Sequence, residues 1–163
     1  VITDVALGEL EKGRTKGRQT ADEVIALIHL GLVDVMRHRP EDDDLFLGLI
    51  AGKAVETLDD GEADTLVVAN SCGCIAVIDE RKATIIAARK FPHLNLRTTV
   101  DLLLSTEVIE TLGLEIVCDS LHRALVSARM RIPEHHLAEV LRLIGPERAK
   151  ACTSLPAAHR RGS

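Results

Sequence analysis

The chain has 163 residues, enough for one domain with a sizeable core, and 46% hydrophobic with 28% charged residues reads as globular rather than disordered. Trp and Tyr are absent and Phe46 and Phe91 are the only two Phe, which excludes a base-stacking platform for single strands and leaves Leu, Ile, Val and Ala to build the core. A formal net charge of −5 speaks against a protein that lives on nucleic-acid phosphates; it leaves room only for local basic patches at Lys12, Arg14, Lys16 and Arg18, at Arg37, His38 and Arg39, and at Arg160 and Arg161.

In chain order, Thr3 or Asp4 caps a first helix through "VALGELEKG", which Gly13 ends. After the polar loop "GRTKGRQ", Thr20 or Asp22 caps a second helix, "ADEVIALIHL", interrupted by Gly31. "LVDVMR" has an ambiguous period and is read as a strand because Gly31 precedes it and Pro40 follows. The acids at 41–44 start a helix "LFLGLIAGKAVETL". Asp59, Asp60 and Gly61 mark a turn, after which "EADTLVVANSC" is helical, with Gly73 at its end. "CIAVID" and "LNLRTT" are short strands on either side of the helix "ERKATIIAARKF". Three more helices follow, "VDLLLSTEVIETLG", "SLHRALVSARM" and, after Pro133, "EHHLAEVLRLI". The tail from Pro146 holds one last helical turn and then frays.

Short apolar strands alternating with helices predict an α/β fold, three layers α/β/α around a mainly parallel sheet. In such sheets ligands bind beyond the carboxyl ends of the strands, where Asp79 and Glu80 fall. Two readings of the acids are open. Converging carboxylates suit a hard cation such as Mg2+ or Mn2+. Glu62, Asp64 and Glu80 equally suit the first turns of helices, and Asp79 suits an N-cap.

"GEADTLVVANSCGCIAVIDERKA" resembles the central segment of the PIN-domain superfamily, a helix opening Gly-Glu-Ala-acid, a strand ending in Asp, and a helix with an early Arg. "LNLRTTVDLL" resembles the next strand, turn and leucine-rich helix, and "ARMRIPEHHLAEVLRLIG" the C-terminal extension of a bacterial and archaeal PIN-like branch. "VITDVALGEL" resembles the family's second segment, a helix with Glu before Leu. The resemblance implies a PIN-like domain over 1–145, followed by a tail over 146–163. It implies metal-binding and catalytic acids Glu9, Asp64 and Asp79, with Glu80 a fourth ligand, and Mg2+ or Mn2+ as cofactor. Thr98 or Thr99 would orient a water. The implied activity is hydrolysis of RNA phosphodiester bonds, in many relatives by the toxin of a toxin–antitoxin pair. The implied partners are an RNA substrate, an antitoxin-type protein and a second copy of the chain. The alternative is a non-catalytic interaction module with a degenerate metal site.

The chain departs from that pattern at its start. The family's first strand, ending in a metal-binding Asp, has no match; placing "VITD" there makes Asp4 that residue but costs Glu9 its match. The expectation is a domain without its first strand, or one with an incomplete metal site.

Cys72 and Cys74 flank a glycine without a second ligand pair at zinc-site spacing, so Cys72, Cys74, Cys118 and Cys152 are expected to be plain thiols. With no leader segment ahead of them and no apolar run of bilayer length, the expected location is the cytoplasm, with no membrane partner. His135 and His136 point about 100° apart on a helix, and so are expected to lie on the surface rather than share a metal. His38 is expected in a solvated loop.

Overall fold

The structure, a computed structural model, describes residues 1–14 and 20–160. The chain divides into two compact units, Val1–Leu96 and Arg97–Ser163. The boundary expected at 145/146 coincides with a kink inside a helix, where Gly145 takes φ 76° and ψ 164° immediately before Pro146.

In the first unit, β1 (Ile2–Thr3) leads at once into α1 (Asp4–Arg14). The Thr3 hydroxyl accepts from the Ala6 amide at 3.3 Å and caps that helix. α2 (Thr20–His29) starts with Asp22 and Glu23 in its first turn, and Gly31 follows it at φ 68°. β2 (Val35–Met36) pairs in parallel with β1, Ile2 opposite Val35 and Thr3 opposite Met36. A 3-10 turn (Pro40–Asp42) opens α3 (Asp43–Ile50). α4 (Asp60–Cys72) ends on Gly73, whose φ of 65° is the left-handed cap that glycine adopts without penalty. β3 (Ala76–Val77), α5 (Arg81–Lys90) and β4 (Leu96–Arg97) complete the series, with the Ala76 amide donating to the Asn95 carbonyl at 3.0 Å.

α4 is the centre of this unit. Ala63, Asp64, Leu66, Val67, Val68 and Ala69 are all buried, so the helix is enclosed on more than one face. Leu49 of α3 and Ile86 of α5 pack in the same cluster. A fully buried Leu such as Leu66 contributes about 1.5–3 kcal/mol by its removal from water.

The second unit is helical: α6 (Thr99–Leu103), α7 (Thr106–Leu112), α8 (Leu114–Ser127), α9 (Glu134–Ala151) and α10 (Ala157–Arg160). Val117, Leu121 and Leu125 of α8 recur every four residues and form one buried stripe, which packs with Val100, Val140 and Ile144.

The expected three-layer α/β/α fold with a mainly parallel sheet is not what the chain adopts. The structure is 66% helical with 5% strand, in two separate two-stranded pairs. β2, β3 and β4 form inside the expected strands and β1 forms where only a helix start was expected, but each is two residues, about 7 Å of chain. Helix caps cut them short: α1 begins directly after Thr3, and α5 is capped three residues after β3. The central apolar layer is therefore a buried helix, α4, in the place a sheet was expected.

Helix boundaries also differ: α8 starts at Leu114 rather than at Ser120, and the tail expected to fray after Pro146 carries buried Cys152 and Leu155 and then α10. The helix expected over 45–58 stops at Ile50; the chain turns back so that the Leu58 amide donates to the Leu49 carbonyl at 2.9 Å. The single helix expected over 100–113 is two, because the Ser105 hydroxyl accepts from the Val108 amide at 3.3 Å and caps a new one.

Candidate functional site

Four acids of the first unit, Glu9, Glu62, Asp79 and Glu80, gather at the N-terminus of α4. Asp59 occupies the N-cap position without a side-chain cap hydrogen bond. Glu9, 52 residues away on α1, takes that role: its Oε1 accepts from the Gly61 amide at 3.0 Å, where the helix dipole favours an anion. The approach depends on Gly61, since a Cβ there would lie 2.6 Å from Glu9 Oε2. Beside this contact is a shallow cavity of about 360 Å3, lined by Glu9, Glu62, Thr65, Asp79 and Glu80 among others.

The carboxylates come from three places in the chain: α1, the first turn of α4, and the segment between β3 and α5. Glu80, not Asp79, is the N-cap of α5, its Oε2 accepting from the Ala83 amide at 2.7 Å. Burial pushes the Glu62 carboxyl above its ordinary value, and the charges of Glu80 and Asp59 push it further. An all-oxygen donor set with mutually repelling charges fits a hard divalent cation better than any softer metal.

Glu9, Asp79 and Glu80 therefore line one cavity, whereas Asp64 is elsewhere. Asp64 is 0% exposed and its Oδ1 is hydrogen-bonded to His38 Nδ1, while its Oδ2 has no hydrogen-bond partner. Residues two apart on a helix point about 200° from each other, so only one of Glu62 and Asp64 can face the cavity. Glu62 does.

His38 is consequently no solvated loop residue. It spans Asp64 and Asp43, with Nε2 at 3.1 Å from Asp43 Oδ1, and stacks on the Phe46 ring at a centroid distance of 4.8 Å. The hydrogen bond to Asp64 raises its pKa above 6.5 against the opposing effect of burial. The basic patch around it is neutralised: Arg37 pairs with Asp4 at 2.5 Å and Arg39 approaches Glu41 at 3.9 Å. Of the other basic patches, Arg14 pairs with Asp22 at 3.0 Å, Arg160 ends α10, and Lys16, Arg18 and Arg161 lie outside the described residues.

In the second unit, Thr98 caps α6 in a reciprocal capping box with Asp101, so its hydroxyl is engaged in helix capping. Asp101 Oδ2 accepts from the Thr98 amide at 2.6 Å and from its hydroxyl at 2.7 Å. Its Oδ1 faces the first turn of α9, 2.7 Å from His136 Nε2 and 4.0 Å from His135 Nε2. Burial pushes the Asp101 carboxyl up, but the hydrogen bonds from His136 and Thr98 prevail and hold it at about 2, against an ordinary 3.8. The two imidazoles, expected to diverge, have ring centroids 4.1 Å apart. Among the described residues, Asp101, His135 and His136 are the one set of three such side chains whose ligand atoms all lie within 4.8 Å of one another. The carboxylates of the first-unit cavity are spread more widely than that.

The ligand set implied by the resemblance left out Glu62, and sequence reasoning passed over His38 as a core partner and the Asp101 cluster. Only the last left a local trace, the Thr98-to-Asp101 capping spacing. The thiols of Cys72 and Cys74 flank the Gly73 turn as expected but are exposed, and Cys152 is buried.

No family model, curated protein or solved structure matches this chain. No helix among the described residues is long and apolar enough to cross a membrane.

Proposed function

We propose that the cavity at the N-terminus of α4 holds a divalent cation, Mg2+ or Mn2+, and hydrolyses RNA phosphodiester bonds. The observation that carries this reading is the convergence of Glu9, Glu62, Asp79 and Glu80, from three segments of the chain, on one cavity. It rests on that convergence and on the PIN-like resemblance of residues 61–83, not on a three-layer fold. RNA as substrate and an antitoxin-type protein as partner come from the resemblance.

Glu9 and Asp79 would be the principal ligands, with Glu80 held in place by its cap on α5. Bound there, the ion would neutralise phosphodiester charge and acidify the attacking water. Glu62, the remaining carboxylate on the cavity wall, would be placed to accept a proton from that water. The Gly61 amide fixes the Glu9 carboxylate at the rim.

A second reading, a non-catalytic interaction module, is favoured by one observation: Asp64, which the resemblance implies as a ligand, is buried against His38. Calorimetric titration with Mn2+ separates the two. The nuclease reading expects stoichiometric Mn2+ binding, weakened at least about tenfold in Asp79→Asn, with metal-dependent RNA cleavage lost in Glu62→Gln at unchanged circular dichroism. Equal Mn2+ binding by wild type and Asp79→Asn would overturn it in favour of the interaction module.

A further inference from the structure

We propose that Asp101, His135 and His136 form a binding site for one zinc-class divalent ion, with a fourth coordination position open to solvent. The site is independent of the acidic cavity and has the opposite chemistry. Two imidazole nitrogens and one carboxylate oxygen suit Zn2+, Co2+ or Ni2+, whereas Mg2+ and Mn2+ prefer oxygen alone.

The distances suit the metal. Zinc with ligands at about 2.0–2.1 Å in a tetrahedron separates neighbouring ligand atoms by about 3.3 Å. The two separations from Asp101 Oδ1, 2.7 Å to His136 Nε2 and 4.0 Å to His135 Nε2, bracket that value. Shifts of roughly 0.6–0.7 Å would bring both onto it, and all three ligand atoms already lie within 4.8 Å of one another.

The carboxylate is oriented in advance. Thr98 engages Oδ2 through two hydrogen bonds, at 2.6 and 2.7 Å, which turns Oδ1 toward the imidazoles. A polar group that fixes a ligating carboxylate in this way is a common feature of metal sites. The arrangement of the histidines points the same way. A simple Asp–His ion pair needs one imidazole, and His136 supplies it with its side chain 18% exposed. His135, 70% exposed, has most of its surface in water, yet it approaches the same oxygen. That exposed side is where the open position lies. The ion would join the capping box of α6 to the first turn of α9, elements whose ligands are 35 residues apart. The positive end of the α9 dipole opposes a cation there, and Glu134 in the same turn and Asp101 itself offset it.

The test uses the full chain. Titration calorimetry with ZnCl2, with the acidic cavity occupied by excess Mg2+, should give one site, weakened at least about tenfold in His135→Ala, in His136→Ala and in Asp101→Asn. At a hundredfold excess of Zn2+ over its Kd, the wild-type melting temperature should rise by about 5–10 °C. His135→Ala should lose that rise while melting within about 2 °C of wild type without metal, since it is an exposed substitution. The double variant Cys72→Ser/Cys74→Ser and the cavity variant Asp79→Asn should bind Zn2+ as wild type does. That result separates this site from exposed thiols and from the Mn2+ site. The proposal is overturned by no stoichiometric Zn2+ binding, by unchanged binding in both histidine variants, or by loss of binding in the cysteine double variant.

Discussion

Each unit contains an aspartate held by a histidine, and the two pairs are built in opposite ways. Asp64 lies just past the first turn of a buried helix, 0% exposed, with Oδ1 on His38 and Oδ2 without a hydrogen-bond partner. Asp101 is at the third position of a short helix, 20% exposed, with Oδ2 satisfied by Thr98 and Oδ1 turned to two imidazoles. A helix start offers unpaired backbone amides to a carboxylate, and a helix interior offers none. Asp64 therefore depends on a single partner from another part of the chain, whereas Asp101 has local partners and an oxygen to spare. The first pair raises the pKa of His38, and the second lowers that of Asp101.

The largest effect should come from breaking the buried pair. His38→Ala leaves the Asp64 carboxylate buried without its partner, and should cost about 3–5 kcal/mol in urea unfolding. The double variant His38→Leu/Asp64→Leu should recover most of that loss, because replacing both partners by apolar groups removes the desolvation cost. A loss below about 1 kcal/mol in His38→Ala would mean that Asp64 is not sustained by His38, and the contrast between the two pairs would disappear.

A smaller effect separates the pairs by pH, with opposite signs. The raised pKa of His38 adds stability that is fully present below its unfolded value of 6.5 and is lost as pH rises through the higher folded value. The lowered pKa of Asp101 adds stability that is present above 3.8 and is lost as pH falls toward about 2. The latter shift corresponds to about 2 kcal/mol. Between about pH 5 and about pH 2, wild type should lose roughly that much more stability than Asp101→Asn. Equal acid sensitivity of the two proteins would show that Asp101 gains nothing from Thr98 and His136.

The smallest stability effect belongs to Gly61→Ala. Its Cβ would meet Glu9 Oε2 at 2.6 Å, but that oxygen ends a flexible side chain and can swing away. Better helix propensity and the lost cap offset each other, so stability should change by less than about 1 kcal/mol. Mn2+ affinity should nevertheless fall, because Glu9 leaves the cavity rim. Unchanged Mn2+ binding would make Glu9 a helix cap and nothing more.

Much of the helical framework was legible from local chemistry. Gly73 at the end of α4, Gly31 after α2 and Pro133 before α9 mark boundaries through backbone constraints that act within a few residues. The places where strands form, 76–77 and 96–97, were legible from apolar runs. Their length was not, because a two-residue strand and a six-residue strand differ only in where neighbouring caps and long-range pairing take over. That difference separated the expected three-layer sheet from the observed helical structure.

By itself, the sequence determined that acids fall at 9, 62, 64, 79 and 80, that the core is aliphatic, and that helices start and stop near their capping residues. Which acids share a cavity was decided by the tertiary structure. Residues 62 and 64 sit on nearly opposite faces of one helix, and both are carboxylates, so nothing local ranks them. The choice was made by what packs on each face: Glu9 and the segment after β3 on one side, His38 and Phe46 on the other. The same holds for His135 and His136, which diverge on an ideal helix and converge here because an aspartate from a distant cap lies between their reach. Capping is decided over three or four residues, whereas burial depends on every segment that packs against a face.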